Sequence, residues 1–216
     1  MSTFTFDALP CPAVYVLLDG QAWIKSHQAF DDQVNQLISA GVSLIQFRDK
    51  RLSDHDQVAA GRRLSQLTDR TSTAWIMNDR TDLAVAAGAA GVHLGQDDQP
   101  VDVARKMIGG DKLIGVSTHS IEQARQAVAD GADYIGVGPV FESQTKTFTD
   151  YVGVELVAAV AKEIEIPAFA IGGINLENAS QVRDAGLTRV AVSGVVNSAD
   201  DPETVVRRLL AELTRG

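Results

Sequence analysis

Short apolar runs recur along the chain, each preceded by an amphipathic stretch that closes on a small or acidic residue and a glycine. Ala40-Gly41 stands before VSLIQF, Ala90-Gly91 before VHLG, Asp130-Gly131 before ADYIGVG and Ala185-Gly186 before LTRVAVSG. A glycine at such a step takes the left-handed conformation that closes a helix, and the run after it reads as a strand. The pattern predicts strands at Ala13–Leu18, Ser43–Phe47, Ala74–Met77, Gly91–Leu94, Leu113–Val116, Tyr134–Val137, Ala168–Ile171 and Arg189–Val192. Helices are predicted between them, among others at Asp54–Thr68, Ile121–Ala129, Val154–Lys162 and Pro202–Leu213, the last opened by Asp200-Asp201-Pro202-Glu203. The strands are apolar throughout rather than alternating, as a parallel sheet buried on both faces requires. Eight strict β-then-α units predict an α/β protein, a single (β/α)8 TIM barrel spanning one domain, 1–216. An open doubly wound sheet is the minority reading, since it would need fewer strands and a switch point.

Charge narrows the partners. The chain has 19 Lys and Arg against 28 Asp and Glu, a net charge of −9, which excludes the positive field that non-specific nucleic-acid or anionic-membrane binding needs. If the ligands are phosphates, the cations must be gathered in one pocket. Cys11, the single cysteine, excludes an internal disulfide and fits a reducing compartment. Lying between Pro10 and Pro12, it reads as structural rather than nucleophilic. No basic-then-apolar leader is visible and no apolar run approaches membrane-spanning length, so a cytoplasmic protein is expected.

In such barrels chemistry gathers where strands end. The second strand ends in Gln46-Phe47-Arg48-Asp49-Lys50, and alternation puts Gln46, Arg48 and Lys50 on one side. A forked guanidinium beside an ammonium suits a polyanionic phosphate, although this pentapeptide alone would read as a solvated loop. The third strand ends in Asn78-Asp79-Arg80 and the fourth leads into Gly95-Gln96-Asp97-Asp98. Two carboxylates from neighbouring strand ends form the hard oxygen site that Mg2+ prefers. Either Asp alone reads as a helix N-cap; the two together, beside the phosphate triplet, favour the metal.

At the fifth strand end Ser117 is a candidate donor and Ser120 an ordinary N-cap. The sixth runs into a long polar loop in which Ser143 and Thr145 bracket Gln144 and Lys146 follows, either a functional lid or a polar excursion. The seventh and eighth end in Ile171-Gly172-Gly173-Ile174 and Val192-Ser193-Gly194. Glycines there let backbone N–H groups approach an anion, at the usual phosphate site of this fold. His93, on an apolar strand, reads as a satisfied core histidine, and Trp23 and Trp75 read as packing. No zinc spacing, nucleophile elbow or dinucleotide fingerprint is present.

Taken in order, these motifs resemble the thiamine-phosphate synthase family. Its Q-x-R-x-K stands at Gln46, Arg48 and Lys50, its N-D at Asn78-Asp79, its G-V-H-L-G-Q-x-D at Gly91 to Asp98, and its G-x-S at Gly115 to Ser117. The G-P-x-F and T-x-T-K loop spans Gly138 to Lys146, followed by I-G-G-I at Ile171–Ile174 and S-G at Ser193-Gly194. One departure is visible: the family's first loop threonine is Ser143 here, which keeps the hydroxyl.

The resemblance implies that two phosphorylated small molecules are joined with loss of diphosphate. They are 4-amino-2-methyl-5-hydroxymethylpyrimidine diphosphate and 4-methyl-5-(2-phosphoethyl)thiazole or its carboxylated form. It assigns Gln46, Arg48, Lys50, Asn78, Ser117 and Lys146 to the pyrimidine diphosphate, with Arg48, Lys50 and Lys146 catalytic. Asp79 and Asp98 would bind Mg2+, and Ser143, Gln144, Thr145, Gly173, Val192 and Ser193 the thiazole phosphate. Attack by the thiazole nitrogen would account for the lack of a protein nucleophile. The alternatives are a thiazole tautomerase-like isomerase on the same barrel, which would not need the triplet or the Asp pair, and a non-catalytic sensor of thiamine intermediates. Oligomeric state is not written in these motifs.

Overall fold

A computed structural model describes residues 13–142 and 151–215. In chain order the elements are β1 (Ala13–Leu18), α1 (Gln21–Lys25), α2 (His27–Ser39), β2 (Leu44–Phe47), α3 (Asp54–Thr68), β3 (Ala74–Asn78), α4 (Thr81–Ala87), β4 (Gly91–Leu94), α5 (Val101–Ile108), β5 (Leu113–Thr118), α6 (Ile121–Ala129), β6 (Tyr134–Val137), α7 (Gly153–Glu163), β7 (Ala168–Ile171), α8 (Ala179–Asp184), β8 (Arg189–Val192), α9 (Gly194–Asn197) and α10 (Pro202–Thr214). The strands pair in parallel in sequence order and β8 closes onto β1, with Tyr15 opposite Leu44 on one side and Ala191 on the other. This is the closed (β/α)8 barrel that the repeated units predict.

The period of two along each strand divides its side chains between two layers. Val14, Val16, Ile45, Phe47, Val92, Ile114 and Val190 belong to the layer packed against the helices. Ala13, Tyr15, Leu44, Ala74, Ile76, Leu113, Tyr134, Phe169 and Ala191 fill the barrel interior. Both sets are buried, hence the unbroken apolar runs. The interior-side series grows more polar toward the strand ends: Leu44 gives way to Gln46 on β2, Ile76 to Asn78 on β3, and Leu113 to Ser117 on β5. That gradient fixes which end can carry chemistry.

Local signals fall largely where the sequence puts them. Gly41, Gly131 and Gly186 follow α2, α6 and α8 with φ of 88°, 88° and 102°. Ser120 caps α6 by accepting from the Gln123 N–H, and Asp201 caps α10 by accepting from Thr204. The Ala90-Gly91 step is a correction. Gly88, at φ 77°, closes α4 instead, and Gly91 already belongs to β4. A Cβ on Gly91 would come 2.3 Å from the Leu113 carbonyl oxygen, so close strand packing is what demands glycine there. β3 and β5 also run further than predicted, to Asn78 and Thr118, because polar residues at the rim still extend the strand. Among the described residues no helix is long and apolar enough to cross a membrane.

Candidate active site

The predicted residues within the described range come from the C-terminal ends of β2, β3, β5, β7 and β8 and from the loop after β4, that is, from one rim of the barrel. The β2 triplet does not act as three equivalent cations and donors. The ladder stops at Phe47, so alternation does not carry as far as Lys50. Gln46 is 2% exposed and donates from Nε2 to the Tyr15 hydroxyl over 2.7 Å. The Arg48 backbone N–H donates to the Leu18 carbonyl over 2.9 Å. Its guanidinium has no ion-pair partner among the described residues, so a cation stands ready for an anion. Lys50, mostly exposed, has Nζ 3.5 Å from Asp79 Oδ2.

Between the two cations Asp49 is buried, a role the sequence did not reveal. It accepts from the Gly20 and Arg51 N–H groups over 3.0 and 2.8 Å and pairs with the Arg51 guanidinium. Arg51 holds the Asp49 carboxyl below the usual range. Asp49 therefore clamps the loop that carries the triplet.

Asp79 and Asp98 are brought together. Burial pushes the Asp79 carboxyl above its ordinary pKa, and the neighbouring Asp98 carboxylate, near enough to share a hydrogen bond, pushes it further. Lys50 and Asn78 only partly oppose this. Asp79 also holds a left-handed backbone, φ 61°, a conformation uncommon outside glycine. The helix-cap reading fails for both carboxylates. The N-cap of α4 is Arg80 and that of α5 is Pro100, neither with a side-chain cap bond. Asp98 instead accepts from the Gly95 N–H over 2.6 Å, which folds its own loop back toward the rim. Two carboxylates that repel each other beside a lysine, without capping work to do, fit a divalent cation. No group of three or more potential ligands occurs among the described residues, so such an ion would draw its remaining ligands from water and substrate.

Ser117 stands on β5, its Oγ 2.9 Å from His93 Nε2. The Gln96 amide donates to the Ser117 carbonyl over 2.6 Å, tying the loop after β4 to β5. His93 is a satisfied core histidine, as the sequence suggests, with Nδ1 3.2 Å from the Tyr134 hydroxyl. Burial lowers its pKa to about 4, so the ring is neutral at physiological pH. Its partners, however, connect it to predicted ligand residues. Tyr15 and Tyr134 stand at interior positions of apolar strands, where the sequence does not distinguish them from packing residues.

The β6–β8 side is built differently. Gly172 and Gly173 have φ of 99° and 64°, and a Cβ on Gly173 would lie 2.2 Å from the Glu142 carbonyl oxygen. Val140 and Phe141 donate their N–H groups to the Ile171 and Gly172 carbonyls over 2.9 and 3.0 Å. Within the structure, then, the glycines are required by the close approach of 139–142. Val192 is buried in the layer behind the barrel, which leaves its backbone as its contribution to the rim. The Ser193 hydroxyl is 3.3 Å from the Leu17 carbonyl and 3.1 Å from Asn197 Nδ2, so it is partly engaged already. Ser143, Gln144, Thr145 and Lys146, like Cys11, lie outside the described residues.

Comparison with known proteins adds a second, independent line. The family model described as thiamine monophosphate synthase matches residues 14–196. A thiamine-phosphate synthase of Thermosynechococcus vestitus is 42% identical over 183 residues, covering 85% of this chain and 52% of that protein. One from Ruminiclostridium cellulolyticum is 40% identical over 197 residues, covering 91% and 93%. The chain thus spans about half the length of the first relative and nearly all of the second. The solved thiamine phosphate pyrophosphorylase of Pyrococcus furiosus superposes with a TM-score of 0.82 at 32% identity, over 95% of this chain and 96% of that one. A barrel rim with paired carboxylates and a β2 cation, matched along most of its length to these proteins, belongs to the thiamine monophosphate synthase family.

Proposed function

We propose that the protein is a thiamine-phosphate synthase, a cytoplasmic Mg2+-dependent transferase that joins the hydroxymethylpyrimidine diphosphate to the thiazole phosphate or its carboxylated form and releases diphosphate. The observation that carries this reading is the Asp79–Asp98 pair, which caps neither α4 nor α5, with Lys50 against Asp79 and with Arg48 at the end of β2 lacking an ion-pair partner among the described residues. Family membership and relatives named for this activity support it. Nothing favours the tautomerase-like alternative, which has no use for that pair.

In this reading Asp79 and Asp98 would hold Mg2+, which would supply positive charge to the departing diphosphate. Arg48, Lys50 and Lys146 bind the diphosphate and stabilise it as its charge grows. The methylene C–O bond breaks with its electron pair leaving on the diphosphate, and the thiazole nitrogen lone pair forms the new C–N bond. Gln46, Asn78 and Ser117 orient the pyrimidine substrate. Ser143, Gln144, Thr145 and backbone groups of Gly173, Val192 and Ser193 orient the thiazole phosphate. No side chain has to act as a nucleophile.

Incubating the protein with both substrates and Mg2+, and following diphosphate release together with thiamine phosphate formation, tests the reading. Stoichiometric appearance of the two products is expected. Binding of both substrates without turnover would indicate a sensor, and isomerisation of the thiazole without diphosphate release a tautomerase; either result overturns the proposal.

A further inference from the structure

Five side chains from five strands form one hydrogen-bonded chain through the barrel interior. Gln46 Nε2 donates to the Tyr15 hydroxyl over 2.7 Å, and the Tyr15 and Tyr134 hydroxyls are 3.0 Å apart. Tyr134 Oη lies 3.2 Å from His93 Nδ1, and His93 Nε2 lies 2.9 Å from Ser117 Oγ. The two tyrosines, the histidine and Gln46 are all buried. Gly115 makes the crossing possible: it is in register with His93 on β4 and Tyr134 on β6. A Cβ there would fall 2.1 Å from Tyr134 Cζ and 2.5 Å from His93 Nδ1. The tyrosine rings pack edge-on against Phe169, with centroids at 5.3 and 5.8 Å, a contact that phenylalanines would make equally well. Buried hydroxyls cost stability unless paired, so packing alone gives no reason for them.

We propose that the Tyr15–Tyr134–His93 chain is a positioning device that locks the Gln46 amide and the Ser117 hydroxyl to each other across the barrel. This rests on the reading that both residues hold the pyrimidine diphosphate. The coupling follows from hydrogen-bond polarity. A neutral imidazole has one donor and one acceptor nitrogen, so the bond His93 makes to Tyr134 dictates the bond it makes to Ser117. At the other end, donation from Nε2 to Tyr15 fixes which way the Gln46 amide is turned, and so where its Oε1 acceptor and its second N–H point. Tyr15, Tyr134 and His93 thereby orient the two groups read as ligands, Gln46 and Ser117, through hydrogen bonds within the protein.

Two measurements on the full chain test this. The first needs no substrate: the His93 ring 15N shifts, compared between wild type and Tyr15→Phe. Tyr15 does not hydrogen-bond to the imidazole, and phenylalanine keeps its edge-on ring contact with His93, 6.4 Å between centroids, so a changed pair of ring shifts is expected only if the chain transmits; unchanged shifts overturn the proposal. The second is kinetic. Tyr134→Phe should raise KM for the pyrimidine diphosphate about three- to tenfold, the loss of one hydrogen bond, with KM for the thiazole phosphate unchanged. Combined with Ser117→Ala, it should cost less than the sum of the two single effects. Equal rises in both KM values, or additive effects, would mean general loosening and overturn the proposal. Should Tyr134→Phe fail to fold, Tyr15→Phe serves in its place with the same expectation. If the wild-type protein releases no diphosphate, the functional reading fails, and the ring 15N shifts alone decide whether the chain transmits.

Discussion

The two halves of the rim are built by different means. From β2 to β5 the site is made of side chains: the Arg48 cation, the Lys50–Asp79 pair, Asp98, and Ser117 held by His93. From β6 to β8 the described part is made of backbone: Gly172 and Gly173 under the 139–142 segment, buried Val192, and a Ser193 hydroxyl already shared with Leu17 and Asn197. A charge that grows during reaction is best met by fixed charges and a metal, whereas a phosphate that only anchors a substrate needs a few N–H groups at a close approach. Substitutions should therefore damage chemistry in the first half and architecture in the second.

The largest effect is expected at Asp79 and Asp98, the proposed metal pair. Asp98→Asn keeps an acceptor for the Gly95 N–H but replaces an anionic ligand by a neutral one, and turnover should fall about a hundredfold with a raised Mg2+ requirement. Normal turnover at unchanged Mg2+ would remove Asp98 from the metal site. In the other half, Gly173→Ala should destabilise the fold by about 2–4 kcal/mol in denaturant unfolding, because a Cβ would collide with the Glu142 carbonyl at a positive φ. Wild-type stability would show that 139–142 does not rest on that glycine in solution.

Lys146 belongs by sequence to the second half and by proposed role to the first. Lys146→Ala should lower kcat and kcat/KM alike, by about ten- to a hundredfold, or roughly 1.5–3 kcal/mol of transition-state stabilisation. A normal kcat with only a raised thiazole-phosphate KM would return it to the anchoring half. The smallest effect, opposite in sign, concerns stability. The folded-state pKa of Asp79 is raised, so the folded protein binds its proton more tightly than the unfolded chain does. Stability is then lost as pH rises from the ordinary aspartate range through the raised pKa. Asp79→Asn should abolish that loss, and asparagine tolerates the left-handed backbone, so in metal-free buffer at neutral pH the variant should gain about 0.5–1 kcal/mol while losing activity. A less stable variant across that pH range would show that Asp79 is satisfied by its neighbours rather than strained by them.

The repeated αβ unit determined the barrel, because unbroken apolar strands have a stable home only in a sheet covered on both faces. Strand positions, the cap at Ser120 and the acidic, proline-bearing start of the last helix could be read directly, since each depends on residues close in sequence. The candidate site was legible as residue types at strand ends, where a known fold already says which end bears chemistry. What each residue does there depends on neighbours far along the chain. Whether Asp98 caps a helix or meets Asp79 depends on the path of its loop. That Gly91 serves strand packing, and not helix closure, depends on Leu113 lying against it. The chain from Gln46 to Ser117 joins five strands through Gly115, a position where the absence of a side chain is the essential feature. Local sequence carries propensity and period; only the tertiary structure decides which polar groups must find one another once water is excluded, and that decision is what turns Tyr15, Tyr134 and His93 from packing into a network.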